Sequence, residues 1–298
     1  MSKGKLFQNC PICNHSGIRN LAKATTQIIN SPSQIRASDR KYGLHGSLSR
    51  CLNCQFVFVN DRSYVRKTVN FYKQMTDNDY LREEKHRSKG FNRLLNTLNK
   101  LRSFKKGSIL DIGCNTGGLL NEAQKTGWSA SGIDPSDWAC ILAKKRYGLT
   151  VHNSAFEKFE FPAKSFNTVT LTDVLEHVQN PRQVMIKINK ILTDDGIVCL
   201  VTPDYGSLAA KLLKNRWWGI RRAHLSYFLY PVLLNLFYQT GFRVIKKGYY
   251  VRFLSLNYLL IRIFPVLKKF EKVSIITKNI SIPLYLFDTF EIYLQKNL

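Results

Sequence analysis

Three groups of residues have the types and spacing to do chemistry. Two Cys-x-x-Cys pairs, Cys10–Cys13 and Cys51–Cys54, can each present two thiolates to one side of a metal. Together they complete a tetrahedral four-cysteine zinc site, which keeps no open position and therefore has a structural role. Pro11 and Asn14 suit a tight knuckle turn, because proline fixes φ and asparagine accepts a left-handed backbone. The 37 residues between the pairs exceed what a compact zinc ribbon needs, and His15 and His45 stand nearby as substitute ligands. The second group is the run Ile109-Leu110-Asp111-Ile112-Gly113-Cys114-Asn115-Thr116-Gly117-Gly118-Leu119-Leu120, a strand entering a glycine turn and then a helix. Such a turn lets backbone amides approach a ligand at the carboxyl edge of a sheet. Asp134 follows Asp111 by 23 residues and can accept from both hydroxyls of a ribose.

The third group is Arg216-Trp217-Trp218-Gly219-Ile220-Arg221-Arg222-Ala223-His224. Two indoles beside three guanidinium groups suit a sugar ring stacked on an aromatic face, with a phosphate held in arginine forks. The same composition also fits a core cover with its arginines turned to solvent. His224 is the first choice for a general base, since a hydroxyl nucleophile must lose its proton and imidazole titrates near neutrality. In Asp173-Val-Leu-Glu176-His177, the D-x-x-E spacing reads chiefly as a capping box at a helix start, with His177 as a second candidate base.

These residues need a scaffold, and the middle of the chain supplies one. Strand-length apolar runs at 108–112, 129–133, 168–172 and 197–201 alternate with helical patterns at 119–126, 138–147 and 181–192. That alternation implies a mostly parallel sheet with right-handed crossovers. A further helix is expected from Pro231 to just before Gly241, then strands at 242–250 and 289–295. Residues 251–284, rich in Leu, Ile and Phe with six Lys/Arg and one Glu, read as an amphipathic helical insertion. The expected organisation is a zinc-binding module (1–65), a helical linker or lid (66–106), a core (107–250), and the insertion with the last strand (251–298). Cys114, Cys140 and Cys199 read as packing residues.

The runs LDIGCNTGG, GIDPS and LTDVLEHVQNP, in that order over roughly 108–250, closely resemble the class I S-adenosylmethionine (SAM) methyltransferases. The likeness is nearest to the ubiquinone O-methyltransferase type and to bacterial sugar-modifying methyltransferases, some of which carry similar N-terminal cysteine knuckles. It implies an α/β Rossmann-like fold with a seven-stranded sheet in the order 3-2-1-4-5-7-6. It also implies SAM as cofactor: Asp111 and Gly113 near the methionine part, Asp134 on the ribose, Ala155 and Phe156 beside the adenine, and Thr172 and Asp173 on the pocket floor. Cys114, Asn115, Gly117 and Pro135 would be further cofactor contacts. The family often has an acidic residue near Ala155, where this chain offers Asn153 and Ser154.

Charge narrows the partners. The 298 residues carry 45 Lys+Arg against 20 Asp+Glu, a formal +25, and the excess lies outside the core: +15 in 1–106, −2 in 107–205 and +12 in 206–298. Two basic arms around a near-neutral centre suit an anionic partner. An anionic nucleotide-sugar or lipid-linked acceptor, with peripheral contact to an anionic membrane surface, is favoured. Nucleic acid is less so, because strand four ends in LTDVLE rather than the N-P-P-Y type of amino-group nucleic-acid methylases. The 44% apolar content excludes disorder, and the longest uncharged stretch, 223–242, is too broken to span a bilayer. No secretory h-region opens the sequence, and the odd cysteine count fits a reduced, cytoplasmic setting. The expected activity is SAM-dependent methyl transfer to a sugar hydroxyl of an envelope glycan precursor. The alternatives are an RNA methyltransferase and a non-catalytic, SAM-binding zinc protein.

Overall fold

The chain begins with a small antiparallel sheet that carries the cysteine pairs. The computed structural model describes residues 6–26, 29–39, 41–102, 107–264 and 276–297. Strands β1 (Ile18–Ala22), β2 (Leu48–Cys51) and β3 (Val57–Val59) follow one another antiparallel. Both knuckles turn through a left-handed residue just after the second cysteine, Asn14 (φ 59°) and Gln55 (φ 63°). Helices α1 (Arg62–Tyr72), α2 (Asn78–Arg82) and α3 (Glu84–Leu101) then lead to the core. Asp61 starts α1 by accepting from the amides of Ser63 and Tyr64.

The core alternates as its apolar runs require. It comprises β4 (Ser108–Ile112), α4 (Gly118–Lys125), β5 (Ser129–Asp134), α5 (Asp137–Tyr147), β6 (Thr150–Asn153), β7 (Phe166–Thr172), α6 (Pro181–Ile191) and β8 (Leu192–Pro203). There follow α7 (Leu208–Leu213), β9 (Ser226–Tyr227), α8 (Tyr230–Gln239), β10 (Phe242–Tyr249), β11 (Arg252–Ser255), α9 (Leu256–Ile263), β12 (Ser281–Leu284) and β13 (Thr289–Lys296). The main sheet runs β6-β5-β4-β7-β8-β13-β10. Its first five strands are parallel, and β13 is antiparallel to both neighbours. Counting only core strands, this is the expected order 3-2-1-4-5-7-6.

Strand periodicity divides the apolar residues between two faces. Leu110, Ile112, Val198 and Leu200 pack with Val184 and Ile188 of α6 and Leu233 and Leu236 of α8. Ile109, Ile197, Cys199 and Val201 face the other way, toward Leu94 and Leu98 of α3 and Leu119 and Leu120 of α4. Cys114, Cys140 and Cys199 are all buried.

Three expectations are corrected. Residues 251–284 are not one helical insertion: β11 and β12 pair antiparallel from Arg252↔Leu284 to Ser255↔Ser281, and of the helices named here only α9 falls in this stretch. Its apolar residues do not share one face. Leu254 is buried, whereas Ile263 and Phe264 are exposed; Lys268, Lys269 and Lys272 lie outside the described residues. The D-x-x-E segment starts no helix. After β7 the chain turns through Asp173 in the left-handed region (φ 56°), and α6 begins only at Asn180-Pro181, where Asn180 accepts from the Gln183 amide at 3.0 Å. Finally, the cysteine sheet is not built from the N-terminal residues alone. Its fourth strand is β9, with Val57↔Tyr227 and Phe58↔Ser226 as partners.

Candidate active site

A cavity of about 450 Å³ opens at the carboxyl ends of β4, β5 and β7. The glycine turn forms one wall. Gly113 (φ 71°) has no room for a side chain, since a Cβ would meet Val174 at 2.5 Å. The Asn115 amide donates to Asp134 at 2.9 Å, and the Ser136 amide donates to the other Asp134 oxygen at 2.8 Å, so this carboxylate ties the turn to the end of β5. Asp111 accepts from the Thr170 hydroxyl at 2.6 Å. Of the residues expected around a cofactor, Asp111, Gly113, Cys114, Asn115, Asp134, Pro135, Ala155, Phe156, Thr172 and Asp173 all line this cavity. Gly117 does not. Its φ of 83° and the approach of Leu149 make it a packing glycine at the start of α4. Glu157, rather than Asn153 or Ser154, brings a carboxylate to the Ala155 wall.

Burial raises the Asp111 carboxyl to about 7 and that of Asp134 to about 6. Neither has an ion-pair partner among the described residues. Two desolvated carboxylates without a cation suit a ligand that brings positive charge, as the ammonium and sulfonium of SAM do. The residues therefore fit that cofactor. By contrast, Asp173 is already matched: Arg252 holds it with two hydrogen bonds of 2.7 and 2.8 Å.

The candidate bases lie beside one another in the same cavity. The rings of His177 and His224 meet edge to face at 4.8 Å. His224 is 3% exposed, and its Nδ1–H donates to the Gly219 carbonyl at 2.8 Å, which leaves Nε2 as the acceptor. His177 Nδ1 lies 2.8 Å from the Ala223 carbonyl and 2.7 Å from the Tyr72 hydroxyl. Burial lowers both imidazoles, His177 to about 4 and His224 well below the usual range. Each is neutral at pH 7. Glu176 is not a cap: its carboxyl is 1% exposed, accepts from the Thr202 hydroxyl at 2.9 Å, and is raised to about 8 by burial and then by Asp173. Its second oxygen is buried without a partner. The donor atoms of Glu176, His177 and His224 lie within 4.8 Å of one another, a spacing that could also hold a cation.

The aromatic–arginine segment divides. Trp217 is core, 1% exposed, and both Trp217 and Trp218 donate their indole N–H to one oxygen of Asp288, at 2.9 and 2.5 Å. Arg216 is on the surface and Arg222 turns toward Asp39 at 3.5 Å. Trp218, Arg221 and His224 reach the cavity. Tyr72, Glu84, Arg252 and Arg262 also line it. Glu84 is held by Thr116, Arg146 and Tyr147. Sequence carried no signal for these four, because each reaches the cavity from a helix or strand outside the recognisable motifs.

The four cysteine sulfurs form a separate cluster, all within 4.8 Å of one another. Cys10–Cys54 and Cys13–Cys51 are 3.6 and 3.5 Å apart. A Zn–S bond of about 2.3 Å gives a tetrahedral edge of about 3.8 Å, so the sulfurs are nearly placed for zinc. Neither substitute histidine joins them: His15 accepts from the Gly17 amide, and His45 is buried against the Gly46 carbonyl.

Comparison with known proteins agrees with this geometry. Residues 83–247 match the family model described as "Methyltransferase domain". The chain is 34% identical over 120 residues to the mitochondrial ubiquinone biosynthesis O-methyltransferase of Schizosaccharomyces pombe, covering 37% of this chain and 42% of that protein. It is 33% identical over 105 residues to the ubiquinone biosynthesis O-methyltransferase of Haemophilus ducreyi, covering 32% and 44%. The chain thus spans less than half the length of these curated relatives. Among solved structures, a Bacillus halodurans protein that carries a provisional methyltransferase name superposes with a TM-score of 0.50 at 12% identity, covering 70% of this chain and all of that one, a likeness of fold.

Proposed function

The chain belongs to the methyltransferase-domain family, and on that premise we propose that it transfers a methyl group from SAM to a sugar hydroxyl, on a nucleotide-sugar or lipid-linked glycan precursor. The observation that carries the reading is one cavity holding both unpaired carboxylates, Asp111 and Asp134, and neutral imidazoles, His177 and His224. When bound, SAM supplies a methyl group already activated by its sulfonium. The chain's own residues then have three tasks. Asp111 and Asp134 bind and orient the cationic cofactor. The buried walls, Phe156, Leu254 and Tyr250 among them, exclude water from the reacting oxygen. His224 Nε2 takes the hydroxyl proton as the acceptor attacks in line, and alignment contributes the remainder.

Zinc in the Cys10–Cys13–Cys51–Cys54 cluster is part of this proposal, in a structural role. So is peripheral contact with an anionic membrane surface, supported by exposed Ile263, Phe264, Ile276, Tyr285 and Phe287 on a chain of net charge +25. No helix among the described residues is long and apolar enough to cross a membrane. The relatives named as ubiquinone biosynthesis O-methyltransferases favour oxygen as the accepting atom and raise an acceptor from ubiquinone biosynthesis as the second reading. Incubation with methyl-labelled SAM and host extract, divided into RNA, lipid and small-molecule pools, tests the proposal. Label in a glycolipid or nucleotide-sugar is expected. Label in RNA or in a quinone would overturn the sugar reading, and binding of SAM with no transfer to any pool would leave a SAM-binding scaffold.

A further inference from the structure

The cavity holds a second set of unmatched charges, of the opposite sign. Arg36, Arg221 and Arg262 line it and come from three distant parts of the chain. Their guanidinium groups make no ion pair among the described residues. Arg221 donates to the carbonyls of Arg36 and Asp39, at 2.7 and 3.1 Å, and Arg262 donates to the carbonyl of Ser38 at 3.2 Å and to the Tyr42 hydroxyl. Arg36, Ser38, Asp39 and Tyr42 are thereby held by two arginines. The Asp39 carboxylate is paired with Arg222, at 3.5 Å. Arg36 and Arg262 each bury an Nε with no hydrogen-bond partner. Arg262 lies over the Tyr258 ring at 4.7 Å, which fixes its plane. Burial chiefly lowers Arg221, with Arg262 adding to the effect and Tyr42 and Asp39 opposing it.

We infer that Arg36, Arg221 and Arg262 form an anion subsite that holds a phosphate or diphosphate group of the acceptor while its sugar reaches toward His224. The inference deepens the sugar-methylation reading and rests on it for the identity of the acceptor. Guanidinium groups are planar and permanently charged, so the N–H donors that reach the cavity can grip phosphate oxygens in pairs. An uncharged acceptor would leave three partly buried cations unneutralised, which disfavours it. Phosphate chemistry is common to a soluble nucleoside diphosphate and to a polyprenyl phosphate presented from a bilayer.

The test measures binding, with the full chain and inorganic pyrophosphate as probe, read by Trp218 fluorescence or calorimetry. Pyrophosphate is expected to bind the natural chain, and Arg36→Gln or Arg262→Gln to weaken it about tenfold or more, the scale of a lost charge-assisted hydrogen bond. S-adenosylhomocysteine binding is the control for folding and should stay unchanged. No pyrophosphate binding, or equal binding by both variants, would overturn the subsite. If one variant also loses S-adenosylhomocysteine, the other decides; if both do, the arginines serve folding and the inference fails. Competition by uridine diphosphate, or by undecaprenyl phosphate in phosphatidylcholine vesicles, identifies the source, and competition by neither would overturn a phosphorylated acceptor. Pyrophosphate binding without sugar methylation would sink only the functional reading. Sugar methylation without pyrophosphate binding would sink only the subsite.

Discussion

Phe58 and Ser226 are partners across the antiparallel β3–β9 pair, so the strand leaving the second cysteine pair and the strand leaving His224 form one hydrogen-bonded unit. The Val59 amide donates to Leu225, and the Leu225 and Ser226 amides both donate to the Glu176 carbonyl, at 2.8 and 3.0 Å. The cysteine cluster and the floor of the cavity thus share backbone.

Breaking the cluster should be felt in the chemistry. Cys51→Ser, or treatment with a chelator, is expected to lower methyl transfer about tenfold or more while S-adenosylhomocysteine affinity falls much less. The melting temperature should drop by about 5 °C, the shift that roughly 2 kcal/mol produces in a domain of this size. Unchanged turnover in the folded Cys51→Ser or chelator-treated protein would separate the two sites.

His224→Ala should reduce turnover by about 10²–10⁴, the usual contribution of a positioned base. SAM affinity should hardly change, since Asp111 and Asp134 are untouched. A collapse of SAM binding in this variant would reassign the imidazole to packing, consistent with its 3% exposure.

SAM binding should strengthen as pH rises from about 5.5 to 8. The Asp134 and Asp111 carboxyls, raised by burial to about 6 and 7, ionise across that range, and the ionised forms best accept from the ribose hydroxyls and attract the cationic end of the cofactor, respectively. The same raised values mean the ligand-free protein holds more protons than its unfolded chain between about pH 4 and 7. These two groups therefore stabilise it at low pH, and that stabilisation is lost as pH rises through their folded values. Calorimetric titration of SAM at several pH values checks the first statement. Asp111→Asn should flatten the dependence, and an unaltered slope would remove Asp111 from the cofactor site.

Arg252→Gln should cost about 2 kcal/mol, because it leaves the Asp173 carboxylate largely buried without its bidentate partner. Asp173 sits at the end of β7 and Arg252 begins β11, so the pair joins the sheet to the C-terminal wall of the cavity. Denaturant unfolding measures the loss. A smaller cost in the Asp173→Asn background than in the natural chain would identify the pair as its source.

The parts of this site legible in sequence are those written in contiguous residues. Strand, glycine turn and helix follow one another from Ile109 to Leu120, and each cysteine knuckle closes within four residues, so local pattern was enough. Glu176 was misread because its spacing from Asp173 satisfies a capping rule that the backbone does not use: the chain turns at Asp173 and delays the helix to Pro181. Trp217 was ambiguous because its partner, Asp288, lies 71 residues away. Arg36 and Arg262 meet only through the tertiary fold, and no spacing rule spans that separation.

The position of β13 bears on how the protein is made. Strand β13 lies inside the main sheet, between β8 and β10, although it follows both in sequence. Until residues 289–296 have left the ribosome, a nascent chain carries an open seam with Ile197–Val201 unpaired along one side. Such a seam is a template for wrong pairing with other chains. Its closure is long-range and therefore slow, so synthesis of this protein should depend on chaperones shielding that edge.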